Sequence, residues 1–314
     1  MTFLQVSGVR KDSNEGAVLQ PINFSQQKHE KVAIAGETGS GKSTLLKIVA
    51  GLVASDSGEV IFEGSRIKDP RDVLVPGQEG IAYLSQHFEL PKFLRVEQVL
   101  GYANILPEDD ANVLYAICRI EHLLKRRTDQ LSGGERQRIA LAKLLISKPR
   151  LLLLDEPFSN LDLGHKNILK SVIQDLGDQL EMTFMMVSHD PVDTLPWADK
   201  ILVLRDGQLV QQGSPQAVYT QPMDEYAAGL FGTYTAVTTL DQTVQFLRPE
   251  DFALSVTEMP GAQKGFIVKS LFFGGFCELE IAVSGMTYFV RSERFDWNAG
   301  QTIWVQPKVS QSRQ

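Results

Sequence analysis

The sequence has little cysteine and no long apolar run. Only two of the 314 residues are cysteines, Cys118 and Cys277, too few for a disulfide framework or a zinc site, so we expect reduced thiols that fill space in the core. The sequence contains no run of about 18 apolar residues, the length that a membrane-spanning helix needs. The first residues, MTFLQVSGVRKD, lack the basic and apolar segments of a signal peptide, and we expect the chain to remain in the cytoplasm.

An excess of basic residues is also missing. The chain has 31 Lys and Arg against 38 Asp and Glu, a formal charge of -7, so no overall positive field attracts nucleic acid or anionic lipid. We therefore expect no nucleic-acid partner. Any attachment to the inner face of the cell membrane has to come through a partner protein.

What the sequence does contain is an alternation of short strand patterns and longer helical patterns from Lys31 to about Gln212. This alternation predicts an α/β domain with a mostly parallel sheet covered by helices. Four consecutive leucines, 151 to 154, suit a central strand buried on both faces. The clearest predicted strands are Lys31 to Ala35, Ile81 to Ser85, Arg150 to Asp155 and Met182 to Ser188.

A helical periodicity between Phe88 and Gln130 predicts a small helical insertion, residues 87–131, with a polar break at residues 107–110. Its apolar residues have two equally good interpretations. They either form a groove for a helix of a partner protein or pack within the insertion itself. These residues are Leu90, Phe93, Leu94, Val96 and Leu100.

The C-terminal part changes to short strand patterns with glycine punctuation, which predicts a small all-β, barrel-like domain. We place the boundary so that residues 1–234 form the first domain and 235–314 the second. Aromatic residues of the tail either line a ligand pocket or, the preferred interpretation, fill the core; they are Phe272, Phe273, Phe276 and Phe289. The predicted strands are Thr243 to Leu247, Gly265 to Phe273, Cys277 to Ala282, Thr287 to Arg291 and Thr302 to Gln306.

A glycine-rich loop follows the first predicted strand of the α/β domain and begins a helix. Its pattern, G-x-x-x-x-G-K-S, turns backbone N–H groups toward a phosphate, and the helix N-terminus adds partial positive charge. Lys42 is expected to reach the β- and γ-phosphates of a nucleotide, Ser43 to offer its hydroxyl to Mg²⁺, and Thr44 to lie near the α-phosphate. The loop residues are Gly36, Glu37, Thr38, Gly39, Ser40, Gly41, Lys42 and Ser43.

Two carboxylates follow the leucine run at the carboxyl edge of the predicted sheet, where ligands bind in such folds. Asp155 is expected to hold Mg²⁺, and Glu156 to orient or deprotonate the water that attacks the γ-phosphorus. A second glycine-containing turn, Ser132-Gly133-Gly134, also begins a predicted helix and offers a hydroxyl and free N–H groups.

These motifs, in this order, resemble the ABC (ATP-binding cassette) ATPase family over most of Thr2 to Met223. The resemblance implies a P-loop NTPase fold, ATP and Mg²⁺ as cofactors, and two copies facing head to tail. It further implies that Ser132, Gly133, Gly134 and Asp162 act on ATP bound to the other subunit. Glu156, His189 and Gln86 would be catalytic, with Gln86 also at the metal beside Ser43 and Asp155.

Two positions depart from the family pattern. Glu135 stands where the family usually has Gln, and we expect little loss of function because Arg136 and Gln137 keep the local polarity. The adenine-stacking aromatic expected near residues 10–13 is missing, and the base is either held by Arg10 or Lys11 through a cation–π contact or held weakly.

The tail from Leu247 onward resembles the TOBE-type domain of importer ATPases. This resemblance implies a transporter subunit that drives import of a ferric ion, polyamine, sugar or oxyanion through a separate permease, with a solute-binding protein as an indirect partner. The sequence does not select the solute. An exporter shares every motif of the first domain, and a soluble ABC protein acting on nucleic acid remains an alternative disfavoured by the single cassette and acidic charge.

Overall fold

The computed structural model describes residues 2–13, 16–87, 89–239 and 242–308. The chain divides into two compact units, residues 1–215 and 216–314. The domain boundary at 234/235 stays a prediction. Phe88, at the start of the predicted insertion, lies outside the described residues. Within the described ranges, none of the helices has both the length and the apolar character needed to span a bilayer.

In the described residues of the first unit there are ten strands and the helices α1 to α6. The strands are β1 (Leu4–Ser13), β2 (Gly16–Gln26), β3 (Lys31–Ala35), β4 (Ser57–Phe62), β5 (Ser65–Arg66), β6 (Ile81–Leu84), β7 (Leu151–Asp155), β8 (Thr183–Val187), β9 (Lys200–Arg205) and β10 (Gln208–Gly213). The helices are α1 (Lys42–Val49), α2 (Val96–Gly101), α3 (Glu108–Ile117), α4 (Gly133–Leu145), α5 (Leu163–Leu180) and α6 (Pro191–Thr194).

A six-stranded sheet forms the centre of this unit, with the order β10-β9-β3-β8-β7-β6. Strands β9, β3, β8, β7 and β6 run parallel, and β10 pairs antiparallel with β9. A separate antiparallel sheet has the order β2-β1-β4-β5. The predicted α/β class with a mostly parallel sheet is confirmed.

The leucine run of β7 is buried on both faces of the sheet. Leu152 and Leu154 belong to one apolar cluster with residues of α2 to α5. Leu151 and Leu153 belong to a second cluster with residues of β1, β2, β4 and α1. Because successive side chains of a strand point to opposite faces, a strand between two apolar layers needs an uninterrupted apolar sequence.

The helical insertion contains α2, α3 and two short 3₁₀ turns, at Glu121–Leu123 and Thr128–Gln130. The break between the two helices lies at residues 102–107, so of the predicted polar break, residues 107–110, only Pro107 falls within it. Pro107 is the N-cap of α3, and the acidic residues Glu108, Asp109 and Asp110 occupy its first turn, where negative charge suits the helix dipole.

The apolar residues of the insertion divide between its core and its surface. Val96 and Leu100 are fully buried and Leu90 packs against the same cluster, as expected for packing within the insertion. Phe93 is 68% exposed, and the guanidinium of Arg127 lies 5.3 Å from its ring centre. Phe93 therefore contributes to a surface rather than to the core.

Both cysteines are free and buried, as the sequence predicts. Burial raises the pKa of the Cys118 thiol to about 12, so almost none of it is thiolate at pH 8. We expect the folded protein to release almost no thionitrobenzoate from Ellman's reagent at pH 8, and two equivalents per chain in 6 M guanidinium, since unfolding exposes both thiols. Rapid reaction in the native state would contradict the burial of these residues.

The second unit begins with two short helices and continues, over the part of it that the structure describes, with seven strands. The helix α7 (Pro215–Thr220) starts at the junction and is followed by α8 (Glu225–Leu230), whose N-cap is Asp224. The strands are β11 (Thr235–Thr238), β12 (Val244–Leu247), β13 (Phe252–Ser255), β14 (Gln263–Phe272), β15 (Cys277–Val283), β16 (Met286–Ser292) and β17 (Thr302–Pro307). They form an antiparallel pair, β11-β12, and an antiparallel sheet with the order β13-β17-β14-β15-β16.

The core of this sheet is mainly aliphatic, its buried aromatic residues are Phe252, Tyr288 and Trp297, and the four phenylalanines named above are not among its buried residues. Leu279, Ile281, Val290, Ile303 and Val305 are completely buried. In contrast, Phe272 is 70% and Phe273 56% exposed, and Phe276 and Phe289 are half-buried. The preferred prediction that the four aromatics fill the core is therefore wrong for Phe272 and Phe273, because the inward positions of β14 and β15 are taken by other residues.

Arg248 connects the start of the second unit to its sheet. Its side chain is 1% exposed and donates hydrogen bonds to the carbonyl oxygens of Tyr219 and Ala228, both at 2.9 Å, and of Gly232 at 3.1 Å. The guanidinium also stacks 4.3 Å from the ring centre of Tyr219. Burial lowers the pKa of Arg248, yet arginine keeps its charge at any neutral pH.

Candidate functional site

The parallel sheet brings the predicted site residues to one edge. The glycine-rich loop follows β3, Gln86 follows β6, Glu156 follows β7 and His189 follows β8. Because the four strands are parallel neighbours, their carboxyl ends meet at the edge where α/β proteins bind ligands.

The glycine-rich loop has a backbone that only glycine tolerates at its two ends. Gly36 and Gly41 both have positive φ angles, 155° and 93°. A Cβ at Gly36 would lie 2.2 Å from the carbonyl oxygen of Leu204, and one at Gly41 would lie 2.5 Å from the Leu19 side chain and 2.8 Å from the Val18 carbonyl oxygen. The loop is thus wedged between β2 and the end of β9, with no room for larger residues.

Lys42 has its amine inside this loop. The Nζ atom donates to the carbonyl oxygens of Gly36 at 2.8 Å and Glu37 at 2.6 Å, and the residue is 7% exposed. Burial lowers the pKa of Lys42, while the charges of Glu156 and Asp155 oppose this shift. An ammonium group held by neutral carbonyls is ready to exchange one of them for an anionic oxygen.

A hydrogen-bonded group of oxygens lies next to the loop. The Ser43 hydroxyl donates to Oδ1 of Asp155 at 2.8 Å, and the Tyr83 hydroxyl donates to Oδ2 at 2.7 Å. Asp155 is 4% exposed. Burial and the bond to Asp155 raise the pKa of Tyr83, so its phenol stays protonated and fixes the carboxylate in place.

Glu156 and His189 form a direct pair. The Nδ1 atom of His189 lies 2.9 and 3.0 Å from the two carboxylate oxygens of Glu156. Because a carboxylate only accepts hydrogen bonds, Nδ1 carries the proton. Glu156 adopts a left-handed backbone with φ 49°, and its N–H donates to the carbonyl oxygen of Val187, which turns its side chain out of the strand direction.

Gln86 is connected to this pair through Ser159. The Gln86 amide lies 3.5 Å from the Ser159 hydroxyl, which donates to the carbonyl oxygen of Glu156 at 2.8 Å. The sequence prediction did not single out Ser159, although it lies three residues after Glu156.

The second glycine turn forms the start of α4. Ser132 is its N-cap and accepts from the N–H of Glu135 at 3.2 Å, while the Glu135 carboxylate accepts from the Ser132 N–H at 2.7 Å. Glu135 also pairs with Arg126 at 3.0 Å. Although burial acts to raise it, these contacts hold the pKa of Glu135 below its usual value, so the residue caps the helix as a carboxylate.

Asp162 caps α5 and is linked to the same turn. Its Oδ1 accepts from the N–H of His165 at 3.1 Å and its Oδ2 contacts Nδ1 of the His165 ring. The other ring nitrogen, Nε2, lies 3.2 Å from the Ser132 hydroxyl. The N–H and imidazole of His165 hold the pKa of Asp162 below its usual value.

The two residues considered for the adenine base both form ion pairs. Arg10 pairs with Asp12 and Lys11 with Asp56, each at 3.0 Å. A cation–π contact to adenine by either residue stays a prediction.

Comparison with known proteins identifies the family. The family model described as ABC transporter matches residues 19–159. An Fe(3+) ions import ATP-binding protein, FbpC, from Mesorhizobium japonicum is 30% identical over 317 residues, which cover 93% of this chain and 87% of that protein. This chain belongs to the ABC transporter family of ATP-binding subunits.

Other members support the same assignment. A sulfate/thiosulfate import ATP-binding protein, CysA, from Bacillus cereus is 29% identical over 348 residues, which cover 97% of this chain and 96% of that protein. Among solved structures, a subunit of the ABC transporter complex cbiONQ from Clostridium perfringens superimposes with a TM-score of 0.62 at 28% identity. It covers 69% of this chain and 90% of that structure. As an ABC ATP-binding subunit the chain is an ATPase that uses ATP and Mg²⁺.

The oxygens around Ser43 fit Mg²⁺ in this ABC subunit. Mg²⁺ prefers six oxygens and keeps several waters while it binds one or two protein groups and phosphates. The Ser43 hydroxyl and the Asp155 carboxylate supply such hard donors 2.8 Å apart. In the described parts of the chain no cluster of three metal-binding side chains exists, so the remaining ligands have to come from the nucleotide and water.

Three residues of this ABC subunit belong to the site although the sequence prediction gave them no role. Tyr83 fixes Asp155, Ser159 joins Gln86 to the Glu156 backbone, and His165 joins Asp162 to Ser132. Lys166, next to His165, pairs with Asp190 at 2.8 Å. A histidine three residues after an N-cap aspartate was the available signal for His165.

Proposed function

We propose that this chain is the motor subunit of an ABC importer and works as a head-to-tail homodimer on a membrane permease. The observation that carries the proposal is the Glu156–His189 pair at the sheet edge that also holds the phosphate loop and the Ser43–Asp155 pair. A base, a phosphate cradle and a metal-binding oxygen set at one edge are the parts that phosphoryl transfer to water requires.

Within one subunit, Glu156 is the group that activates water. Its carboxylate accepts a hydrogen bond from the attacking water and orients it toward the γ-phosphorus. His189 keeps Glu156 in position through Nδ1, and its Nε2, when protonated, donates to a γ-phosphate oxygen. Lys42 exchanges a backbone carbonyl for the β- and γ-phosphates. Gln86, held near Ser159, reaches the water or the metal ligands.

Ser43 and Asp155, with Gln86 nearby, would hold Mg²⁺, which when bound would neutralise charge on the phosphates. Tyr83 keeps the Asp155 carboxylate from rotating. The phosphate loop, from Gly36 to Ser43 and continuing to Thr44, binds the three phosphates through its N–H groups and the start of α1.

The second half of each site comes from the partner copy. Ser132, Gly133 and Gly134 present the N-terminus of α4. Head-to-tail pairing places this turn, with Asp162, over the γ-phosphate held by the other subunit. ATP then joins the copies, and hydrolysis releases them.

Import is supported by the relatives, whose names describe Fe(3+) and sulfate/thiosulfate import. Because relatives of nearly equal identity handle different solutes, the cargo stays within the class of ferric ion, oxyanion, polyamine or sugar. The permease and a solute-binding protein complete the transporter, and the chain is held peripherally on the cytoplasmic face.

Cross-linking tests the head-to-tail dimer. Thr38→Cys and Gly133→Cys, each in a Glu156→Gln chain, supply one exposed thiol while the two native thiols are buried. With ATP, Mg²⁺ and a short bis-maleimide, we expect a mixture of the two variants to give a product of about twice 34.9 kDa. Either variant alone should give little cross-linked product. Equal cross-linking of each variant with itself would contradict head-to-tail pairing.

Co-purification tests the assignment to a transporter. The tagged chain is isolated from detergent-solubilised membranes of its source cells, with the Lys42→Ala variant as a control for nucleotide dependence. We expect a multi-spanning permease and a solute-binding protein in stoichiometric amounts. Recovery of ribosomal or DNA-repair proteins instead would favour the alternative of a soluble ABC protein.

A further inference from the structure

Three residues from two separate motifs form a continuous hydrogen-bonded chain, which we name the histidine bridge: Asp162, His165 and Ser132. The Asp162 carboxylate contacts Nδ1 of His165, and Nε2 lies 3.2 Å from the Ser132 hydroxyl. Ser132 begins α4 and Asp162 begins α5. The bridge therefore ties together, inside one subunit, two elements that act on the partner's ATP.

Hydrogen-bond chemistry fixes the direction of the bridge. A carboxylate only accepts, so Nδ1 of His165 carries the proton toward Asp162. In the neutral ring Nε2 is then an acceptor, and the Ser132 hydroxyl donates to it. The same hydroxyl accepts from the N–H of Glu135 at 3.2 Å. Its hydrogen is consequently aimed at His165 instead of rotating freely.

The surroundings hold His165 in place. A Cβ at Gly134 would lie 2.6 Å from Cδ2 of the imidazole, so the ring packs directly against the glycine turn. The next residue, Lys166, pairs with Asp190 and Asp193, each at 2.8 Å, and Asp190 follows His189 in the chain. The first turn of α5 thus contacts the Ser132 turn through His165 and the His189 segment through Lys166.

We propose that His165 is a positioning residue that holds the Ser132 turn in place for the γ-phosphate of ATP held by the partner subunit. This proposal rests on the proposed function, in which that turn contacts the phosphate. The hydrogen bond from Ser132 to Nε2 persists when the phosphate arrives, so the turn does not have to be ordered at that moment. The bridge keeps Ser132 and Asp162 in register so that both reach the partner together.

Two substitutions separate hydrogen bonding from packing. His165→Phe keeps a ring against Gly134 but removes both nitrogens, whereas His165→Gln keeps an acceptor for the serine hydroxyl. His122→Phe is the matched control, since His122 is exposed on the Glu121–Leu123 turn. Each is made in the Glu156→Gln chain to measure ATP-induced dimerisation, and in the otherwise unchanged chain to measure kcat and KM.

We expect His165→Phe to raise the ATP concentration for half-maximal dimerisation about fivefold, which corresponds to about the free energy of one hydrogen bond, because the turn then has to be ordered when the partner's ATP arrives. The affinity of the isolated subunit for ATP should not change, because the phosphate loop is intact. For His165→Gln, the ATP concentration for half-maximal dimerisation should stay within about twofold of the parent value. An equal loss in the Phe and Gln variants would overturn the bridge in favour of a packing role.

A double-mutant cycle with Ser132→Ala identifies the route of the effect. If His165 acts through Ser132, His165→Phe adds nothing in the Ser132→Ala chain. Additive effects would overturn the proposal. A result in which Ser132→Ala weakens dimerisation while His165→Phe requires the same ATP concentration for it as His122→Phe would overturn the role of His165 and leave the proposed function intact. If Ser132→Ala itself has no effect on dimerisation, the contact between Ser132 and the partner's ATP in the proposed function is refuted.

Discussion

Glu156→Gln is expected to reduce steady-state ATP hydrolysis at least about a hundredfold while ATP-dependent dimerisation persists. The amide is nearly isosteric with the carboxylate and leaves the phosphate loop and Ser43–Asp155 unchanged. It cannot accept a proton from the attacking water. Nucleotide contacts therefore remain, whereas the activated water is lost. Phosphate release measures turnover, and sedimentation velocity with ATP and Mg²⁺ measures dimerisation.

The control for this experiment is Glu121→Gln, an equal change at an exposed position on a 3₁₀ turn. It should keep the parent rate. Removal of Mg²⁺ with EDTA should abolish turnover in the parent and control alike. If the Glu156→Gln chain retained turnover near the parent rate, another residue would have to be the base.

Arg248→Ala is expected to destabilise the second unit by about 3 kcal/mol, the scale for a buried group whose partners are left unpaired. The substitution leaves the carbonyl oxygens of Tyr219, Ala228 and Gly232 without the Arg248 donor and removes the stacking on the Tyr219 ring. These groups join α7, α8 and the segment before β11 to the rest of the second unit. Their loss should therefore lower the urea concentration at which the whole second unit unfolds.

Tryptophan fluorescence measures this effect in one unit only. In a Trp197→Phe background the remaining tryptophans are Trp297 and Trp304, both in residues 216–314. Urea titration of Arg248→Ala should shift their unfolding midpoint to lower concentration. Lys269→Ala is the control, because Lys269 is exposed on β14, and single surface charges contribute little. Equal midpoints for both variants would refute the role of Arg248.

The sequence predicted the parallel sheet well because its strands carry the strongest patterns. The buried β7 has four successive leucines. The glycine-rich loop follows β3 directly and contains Lys42 at the position that its motif requires. The antiparallel strands β1 and β2 were missed, since register shifts between Val6 and Val9 and between Val9 and Lys11 interrupt the period of two. Without that period, hydrophobic alternation no longer identifies a strand.

The sequence pointed to the candidate residues of the site but not to the hydrogen bonds that join them. The spacing of Lys42, Asp155 and Glu156 follows from motifs that are local in the chain. The contact between Ser132 and His165 spans 33 positions, and no local pattern records it. The exposed Phe272 and Phe273 show a related limit, because hydrophobicity alone does not state which face of a strand is covered.

The fit of Gly41 against β2 has a mechanical consequence. Its neighbour Ser40 accepts a hydrogen bond from Gly207, the turn between β9 and β10, and Gly207 in turn accepts from Gln20 on β2. The phosphate loop is therefore fastened to two hairpins and is a stiff support rather than a flexible lid. A nucleotide therefore meets a support that already has its shape, and little of the binding free energy is needed to order the loop.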